Sequence, residues 1–242
     1  KNYLCWAINP LLLEKSNQAI KQFQLNNKRM MKAVCLISGE GTNLEAILKH
    51  IDKEKLNLSI ISVISDNPKA RGLKIAKKFN IDTHAFNFEK YENRRIFDDQ
   101  LEGYVENINP DIVILAGYMR ILSKSFCSLY SGKIINIHPS LLPKLKGLNT
   151  YQRALSNNEL YHGSSVHLVV NEIDSGSVIV QFRTKIKSSD TVSSLRRRIM
   201  EGEYIIYPMV ISYLANENLK IINQEPYLFG KKLINPIVID DF

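Results

Sequence analysis

The chain has 242 residues, of which 45% are hydrophobic, and this is enough for one sizeable core with at most a small appendage. Its formal net charge of +8 would suit a nucleic-acid-binding protein, but no RNA- or DNA-binding motif accompanies the charge. We therefore expect no nucleic-acid partner and attribute the charge to a lysine-rich surface. No stretch approaches the ~20 uninterrupted apolar residues of a membrane span, so we expect a soluble protein without a membrane partner.

The first thirty residues differ from the rest of the chain in charge. Residues 1–30 contain a single acidic residue, Glu14, and five basic ones. Met30 and Met31 stand directly before the first strand pattern, so we divide the chain into an N-terminal extension of unknown role (1–30) and one domain (31–242). We expect a cytoplasmic location, and whether the extension is a targeting segment, a linker or a product of upstream translation stays open.

The cysteines carry no sign of a metal or disulfide site. Cys5, Cys35 and Cys127 are odd in number, widely separated and without the paired spacing of structural zinc or redox sites. We therefore expect no metal and, as the default, a reducing compartment.

Strand-like and helix-like segments alternate in the first half of the domain. The pattern predicts strands at 32–37, 58–64, 83–86, 111–116 and 133–137, and helices at 43–50, 72–79, 91–107 and 125–130. Such alternation is typical of βαβ units, so the predicted fold is α/β: a single open, mostly parallel twisted sheet with helices on both faces, of Rossmann-like type. The almost continuously apolar strand at 111–116 is expected at the centre of that sheet.

The pattern changes after Pro143. Two longer strand-like segments, 162–170 and 177–187, are separated by a turn and are predicted to pair antiparallel. The segment 191–214 is predicted to form a long closing helix with Asp190 as its N-cap. Gly202 and Pro208 inside this segment predict a break or a kink.

Ligands of open α/β sheets bind beyond the carboxyl ends of the strands, so the loop after the first strand is a candidate site. Its two glycines, Gly39 and Gly41, let the backbone approach an anion, and the following helix start favours negative charge. Thr42 and Glu45 also have capping-box spacing, so an ordinary helix start is an equal alternative. Leu44 replaces the third glycine of the dinucleotide fingerprint and no GKS or GKT is present, which disfavours both NAD and ATP.

Two further strand ends carry candidate residues. The segment 117–122 holds large apolar side chains around one charge, and from the residues alone core packing is favoured over a ligand pocket. Asn136 and His138 lie two residues apart in an extended segment, so both side chains project to the same side of the sheet. The turn that contains Asp174 could reach the same edge, although Asp, Ser and Gly are common in any turn.

Six motifs follow one another between residues 31 and 219, and together they cover nearly the whole domain. They are ISGEGTNLEAI, LAGYMRIL, INIHPSLLPKLKGLNTYQRAL, HGSSVHLV, EIDSGSVI and IIYPMVIS. In this set and order the chain resembles the formyltransferases that use 10-formyltetrahydrofolate, and most of all those that act on glycinamide ribonucleotide in purine synthesis.

The resemblance implies roles for individual residues. Asn136, His138 and Asp174 would form the catalytic trio, and Glu203 would contact the ribose of the substrate. The remaining binding residues are implied at the phosphate, which would be held by Gly41, Thr42 and Asn43, and at the folate, which would be lined by Arg94, Met119, Arg120, Ile121, Leu122 and Asn136.

The resemblance also implies a reaction without metal or covalent enzyme intermediate, in which the substrate amine attacks the formyl carbon of the co-substrate 10-formyltetrahydrofolate. Asn136 and a protonated His138 would stabilise the tetrahedral oxyanion, each such donor contributing on the order of 3 kcal/mol. Asp174 would pair with His138 and keep it charged. The implied partners are these two small molecules, with a monomer or homodimer as the assembly.

Three residues depart from the family pattern. Met200 stands where a polar residue near the phosphate is expected, which puts a phosphate contact from that helix in doubt. Asn149 and Tyr151 replace histidines that are common in the loop after the catalytic strand.

Three alternative functions remain. A methionyl-tRNA formyltransferase would be expected to carry a C-terminal barrel, for which the stretch after Leu219 is short, and the GEGTN loop suits a small phosphate monoester better. A formyltetrahydrofolate hydrolase would be expected to carry an N-terminal regulatory domain. A catalytically silent folate- or nucleotide-binding module would not need the trio.

Overall fold

The computed structural model describes residues 29–241, so the predicted N-terminal extension lies outside the described residues except for its last two. The strands are β1 (Met31–Ile37), β2 (Leu58–Ser65), β3 (Asp82–Ala85), β4 (Ile112–Leu115), β5 (Ile134–His138), β6 (Tyr161–Leu168), β7 (Val178–Lys185), β8 (Leu219–Ile222), β9 (Glu225–Leu228), β10 (Lys231–Lys232) and β11 (Ile237–Asp240). The α-helices are α1 (Thr42–Glu54), α2 (Arg71–Lys78), α3 (Arg94–Ile108), α4 (Lys124–Leu129), α5 (Thr150–Ser156) and α6 (Val192–Ala215).

Eight strands form one sheet in the order β11-β7-β6-β5-β4-β1-β2-β3. Strands β1 to β5 run parallel, β6 pairs antiparallel with both of its neighbours, and β11 adds to β7 in parallel. The predicted open, mostly parallel α/β sheet and the antiparallel pair that follows it are therefore confirmed.

The central strand β1 shows why the sheet has helices on both faces. Ala33, Cys35 and Ile37 join one buried cluster, which includes apolar side chains of α1, α2 and α6. Val34 and Leu36 point the other way, into a second cluster with side chains of α3 and α4. Because both faces are covered, the strand is apolar from Ala33 to Ile37 instead of alternating with polar residues.

The long helix α6 closes the first of these two cores. Its N-cap is Thr191, which forms a capping box with Ser194, so the prediction of Asp190 as the cap is wrong. Asp190 instead pairs with Arg198, with 2.8 Å between carboxylate and guanidinium. The predicted break does not occur, because one helix runs through Gly202 and Pro208.

Gly202 has a packing role in α6. A side chain at this position would overlap the ring of Phe182 on β7, so the absence of a Cβ atom lets the helix lie against the sheet. One turn further, the buried Tyr207 places its hydroxyl 3.0 Å from the carbonyl oxygen of Leu115 and 3.2 Å from that of Ile135. The helix is thereby tied to the ends of β4 and β5.

Several elements are absent from the sequence prediction. The short helix α5, the small sheet of β10, β9 and β8, and the edge strand β11 all lie in short or polar segments whose pattern is weak. Strand β11 is held by Asp240, which accepts two hydrogen bonds from the guanidinium of Arg183. This contact joins residues far apart in sequence, so no local pattern indicates it.

The order of the strands defines where a ligand can enter. The chain proceeds from β1 to β2 and β3 on one side and then returns to place β4 on the other side of β1. A crevice therefore opens between the loops that follow β1 and β4, at the point where ligands of open α/β sheets bind. Two hydrogen bonds join these loops, from Ser38 N to the Gly117 oxygen and from Met119 N to Ser38 Oγ.

Candidate active site

The loop between β1 and α1 turns sharply at Gly41. This residue has a φ of +74° and is the N-cap of α1. A Cβ atom at this position would lie 2.5 Å from the Gly72 Cα at the start of α2, so the close approach requires glycine. No side chain caps the helix, and the capping box considered for Thr42 and Glu45 does not form. The backbone N–H groups of the first turn can therefore meet an anion.

Asn43 links this loop to helix α6. Its side-chain amide donates a hydrogen bond of 2.9 Å to Glu203 Oε2, and both side chains are buried. The amide oxygen of Asn43 has no hydrogen-bond partner among the described residues. Burial raises the pKa of the Glu203 carboxyl to about 7, and the hydrogen bond from Asn43 opposes this shift only in part. The structure thus brings together two predicted substrate residues, one beside Gly41 and Thr42 and one on α6.

His138 and Asp174 meet at the carboxyl end of β5. His138 is buried and Asp174 is partly buried, and His138 Nδ1 lies 3.4 Å from Asp174 Oδ2. Asp174 has a left-handed backbone, with a φ of +50°, and the N–H of Gly147 donates a 2.9 Å hydrogen bond to its Oδ2. The turn and the loop after β5 therefore hold each other in place around the histidine.

A second buried histidine, His167 on β6, completes the group and is absent from the sequence prediction. It stands opposite Asn136 in the antiparallel pairing of β5 and β6, and the Asn136 amide nitrogen lies 3.1 Å from His167 Nε2. The same Nε2 is 3.7 Å from Asp174 Oδ1. The signal available in the sequence is the register of HGSSVHLV, since Ser165 and His167 fall on the face that carries Asn136 and His138.

The hydrogen bonds of His167 fix the orientation of Asn136. Burial lowers the pKa of His167 to about 4, so the ring is neutral and does not form a charged pair with Asp174. Nδ1 lies 2.8 Å from the carbonyl oxygen of Leu168, which can only accept, so Nδ1 carries the proton and Nε2 accepts from Asn136. One amide N–H of Asn136 is thereby engaged, and its second N–H remains available to a ligand.

The outer nitrogen of His138 already has a partner. His138 Nε2 lies 3.1 Å from the carbonyl oxygen of Leu145, a residue with a left-handed φ of +54°. Both ring nitrogens therefore face oxygen acceptors, an arrangement that suits a doubly protonated imidazole. To donate Nε2–H to a ligand, His138 must exchange the Leu145 carbonyl for that ligand.

The segment predicted to line the folate forms part of a second cleft. A cavity of about 220 Å³ lies between the loop after β4 and the start of α3, and it is lined by Phe88, Arg94, Asp98, Met119, Arg120 and Ile121. Met119 and Ile121 are exposed, as a binding surface requires. Leu122 instead packs into the second core cluster, in agreement with the expectation of core packing from the residues alone.

The two arginines of this cleft differ in side-chain exposure and in the contacts that hold them. Arg120 forms a 2.7 Å ion pair with the buried Asp66, and its guanidinium lies 3.4 Å above the ring of Phe88. Arg94 is more exposed, pairs with Asp98 at 3.3 Å and donates a 2.7 Å hydrogen bond to the carbonyl oxygen of Ile121. Arg120 therefore supports the wall of the cleft, whereas Arg94 can reach a ligand at its mouth.

Residues 29–241 contain neither a candidate metal site nor a helix suited to span a membrane. Within this range, no three His, Cys, Asp or Glu side chains gather where they could hold a metal ion. No helix in the same range combines the length and apolar character that crossing a membrane demands.

Residues 31–211 match the formyl transferase family, which is most of the chain. The chain therefore belongs to the formyl transferase family and is an enzyme of that class. The family membership predicted from the six motifs is confirmed.

Relatives that match the chain over most of their own length include the phosphoribosylglycinamide formyltransferases of several bacteria. The chain is 40% identical over 203 residues to the phosphoribosylglycinamide formyltransferase of Escherichia coli (strain K12), covering 84% of this chain and 96% of that enzyme. The solved structure of the phosphoribosylglycinamide formyltransferase of Coxiella burnetii, in complex with CHES, has a TM-score of 0.80 and 43% identity and covers 86% and 99% of the two chains.

Glycinamide ribonucleotide transformylase 1 of Symbiobacterium toebii gives a TM-score of 0.78 at 35% identity, over 84% of this chain and 95% of that one. The resemblance to formyltransferases that act on glycinamide ribonucleotide is thus confirmed by sequence and by fold.

Proposed function

We propose that this enzyme transfers the formyl group of 10-formyltetrahydrofolate to the amine of glycinamide ribonucleotide, with residues 31–242 acting as one catalytic domain. The observation that supports this most strongly is the meeting of Asn136, His138 and Asp174 at one end of β5, around the buried His167. This arrangement supplies hydrogen-bond donors and a partly buried carboxylate where a carbonyl oxygen would gain negative charge.

In the proposed reaction the substrate amine attacks the formyl carbon directly, and the formyl oxygen becomes an oxyanion. The free N–H of Asn136 and the Nε2–H of protonated His138 donate to that oxyanion. A carboxylate 3.4 Å from Nδ1, that of Asp174, stabilises the positive charge of the ring. The attacking amine loses its proton and the folate nitrogen gains one, through water, as the carbon–nitrogen bond to the folate breaks.

The Leu145 carbonyl has a specific part in this sequence. It accepts from His138 Nε2 when no substrate is bound, at 3.1 Å, and so satisfies the donor that the oxyanion will later need. When substrate binds, the formyl oxygen replaces the Leu145 carbonyl as the acceptor for His138 Nε2–H. The buried N–H of His138 is therefore not left unpaired before the reaction.

The two substrates would approach from opposite sides of this centre. The backbone of Gly41, Thr42 and Asn43 would hold the phosphate, and the Glu203 carboxyl would accept from a ribose hydroxyl. The folate would lie along Met119 and Ile121, with Arg94 at the mouth of the cleft and Arg120 and Leu122 supporting its wall. Holding both substrates in register is expected to contribute as much to the rate as any single side chain.

An acceptor assay tests this proposal. Purified protein is supplied with 10-formyltetrahydrofolate and with either glycinamide ribonucleotide or charged initiator tRNA, and release of the folate product is followed by absorbance. We expect turnover with the ribonucleotide and none with the tRNA. Formylation of the tRNA alone would overturn the choice of substrate, and folate release without any acceptor would indicate a hydrolase.

A further inference from the structure

Helix α6 presents a short stripe of side chains beside the proposed substrate site. Arg196, Met200 and Glu203 are four and seven residues apart, and at about 100° per residue they fall within about 60° of one another on the helix surface. Glu203 lies at one end of this stripe. The hydrogen bond from Asn43 joins it to the loop between β1 and α1, which we call the phosphate loop because it would hold the phosphate. Arg196 therefore lies on the side of α6 that borders the same site, two turns towards the N-terminus.

The charge of Arg196 affects two neighbouring groups, the Glu203 carboxyl and the Tyr151 hydroxyl. Burial raises the pKa of the Glu203 carboxyl, and the positive charge of Arg196 opposes that shift. Burial likewise raises the pKa of Tyr151, at the start of α5, and Arg196 opposes this shift as well. The ring of Tyr151 stands edge-on to buried His162, with 5.5 Å between the ring centroids. The guanidinium is thus electrostatically coupled to α6 and α5 at once.

Among the described residues, Arg196 also lacks a counter-ion, unlike Arg71 and Arg198. Arg71, beside the phosphate loop, pairs with Glu40 at 3.2 Å, and Arg198 pairs with Asp190 at 2.8 Å. Arg196 is exposed and forms no ion pair with any residue between 29 and 241. An unpaired, solvent-facing guanidinium beside a backbone anion site suits a doubly charged phosphate monoester, which a guanidinium can bind through two parallel hydrogen bonds.

We propose that Arg196 is a specificity-determining residue that binds the phosphate of the acceptor and favours the phosphorylated substrate over its riboside. This inference rests on the proposed function for the identity of the acceptor. Met200, the uncharged residue between Arg196 and Glu203, cannot supply this charge. The arginine thereby provides a phosphate contact from α6, which the departure at Met200 had put in doubt.

Titration calorimetry tests this proposal independently of turnover. The affinity of the full-length enzyme for glycinamide ribonucleotide is measured for the wild type, for Arg196→Gln and for Arg197→Gln, at low ionic strength. Arg197 is an exposed neighbour about 100° around the helix, so its variant makes the same change in net charge away from the stripe. We expect Kd to rise about tenfold in Arg196→Gln and less than twofold in Arg197→Gln, with Arg196→Lys falling between the wild type and Arg196→Gln because lysine keeps the charge but not the paired hydrogen bonds.

A second ligand separates a phosphate contact from a general loss of structure. With the dephosphorylated glycinamide riboside, Arg196→Gln and the wild type should bind equally weakly. A Kd for the ribonucleotide within twofold of the wild type in Arg196→Gln, or equal losses in both glutamine variants, would refute the assignment, and so would the same loss with the riboside. Tight binding of the ribonucleotide by a wild type that does not formylate it would instead refute the proposed function and leave the role of Arg196 standing.

Discussion

Asn136 can serve as an oxyanion donor only if its side-chain amide is held in one orientation, and the residue that holds it is His167. An amide that could flip would present its oxygen to the developing negative charge for part of the time, and an unsuitable acceptor would then replace a donor. The neutral ring of His167 prevents this, because Nε2 can only accept. In the proposed reaction, His167 is therefore a positioning residue.

We predict that His167→Leu lowers kcat about tenfold and changes KM for either substrate less than twofold, because the variant frees the Asn136 amide without removing a substrate contact. His167→Gln, with an oxygen able to accept from Asn136, should recover a large part of the loss. Steady-state kinetics of both variants checks this. Equal activity of the two variants would contradict an orienting role.

Glu203, the proposed ribose contact, is a buried carboxyl group whose ionisation lowers the stability of the folded protein. A carboxyl with a pKa near 7 in the folded enzyme, against about 4.5 in the unfolded chain, binds its proton more tightly when folded. As the pH rises from about 4.5 to 7, the wild type therefore becomes less stable than a variant with a neutral side chain at this position. The difference persists above pH 7.

We predict that Glu203→Gln is as stable as the wild type near pH 4 and about 3 kcal/mol more stable at pH 8.5, since each pKa unit corresponds to ~1.4 kcal/mol. Urea denaturation at the two pH values measures this difference. Glu201→Gln, a change at an exposed position of the same helix, is the matched control and should show no such pH dependence. A stability gain for Glu203→Gln that is equal at both pH values would contradict the assignment.

At the scale of elements, the contact of α6 with β7 depends on Gly202, a residue whose type predicts a break in a helix. Gly202 is placed against the Phe182 ring, where a methyl group has no room. Gly103 lies in α3 with nothing within 4 Å of its would-be Cβ atom. The two glycines thus allow one substitution to be compared in two environments.

We predict that Gly202→Ala destabilises the protein by about 1–3 kcal/mol, because it overpacks the boundary between helix and sheet. Gly103→Ala should stabilise by about 0.5–1 kcal/mol, the gain in helix propensity. Thermal or urea unfolding of the two variants measures both effects. Stabilisation by Gly202→Ala would show that the helix can move away from the sheet at little cost.

The loop after β5 is the element that the proposed reaction must rearrange. Its Leu145 carbonyl accepts from His138, and its Gly147 N–H donates to Asp174. We predict that a bound analogue of the tetrahedral intermediate changes amide hydrogen exchange within 144–149 while leaving β4 and β5 unchanged. Unaltered exchange in this loop would contradict the exchange of acceptors at His138.

At the scale of the whole molecule, the sequence predicts the sheet, its helical layers and most of the site. Apolar runs such as 111–116 and the alternation of strand and helix signals are local, so they can be recognised without coordinates. Gly41, Asn136 and His138 stand out in the sequence because each lies within such a run or a few residues after it.

What escaped prediction depends on contacts between distant segments. His167 meets Asn136 only through the antiparallel register of β5 and β6. Strand β11 is held in the sheet by the ion pair of Asp240 with Arg183, which are far apart in sequence. The N-cap of α6 falls on Thr191 and not on the adjacent Asp190, whose carboxylate is engaged by Arg198 instead.

In the proposed reaction, His138 and the side chains around it stabilise charge in the transition state and contribute little to the binding of substrates. The most direct test is the turnover of His138→Ala with glycinamide ribonucleotide and 10-formyltetrahydrofolate, with His84→Ala, on the edge strand β3, as the matched histidine control. We expect kcat of His138→Ala to fall about 100- to 1,000-fold with both KM values within threefold of the wild type, and the control to keep near-normal turnover. Turnover of His138→Ala within threefold of the wild type would contradict the account.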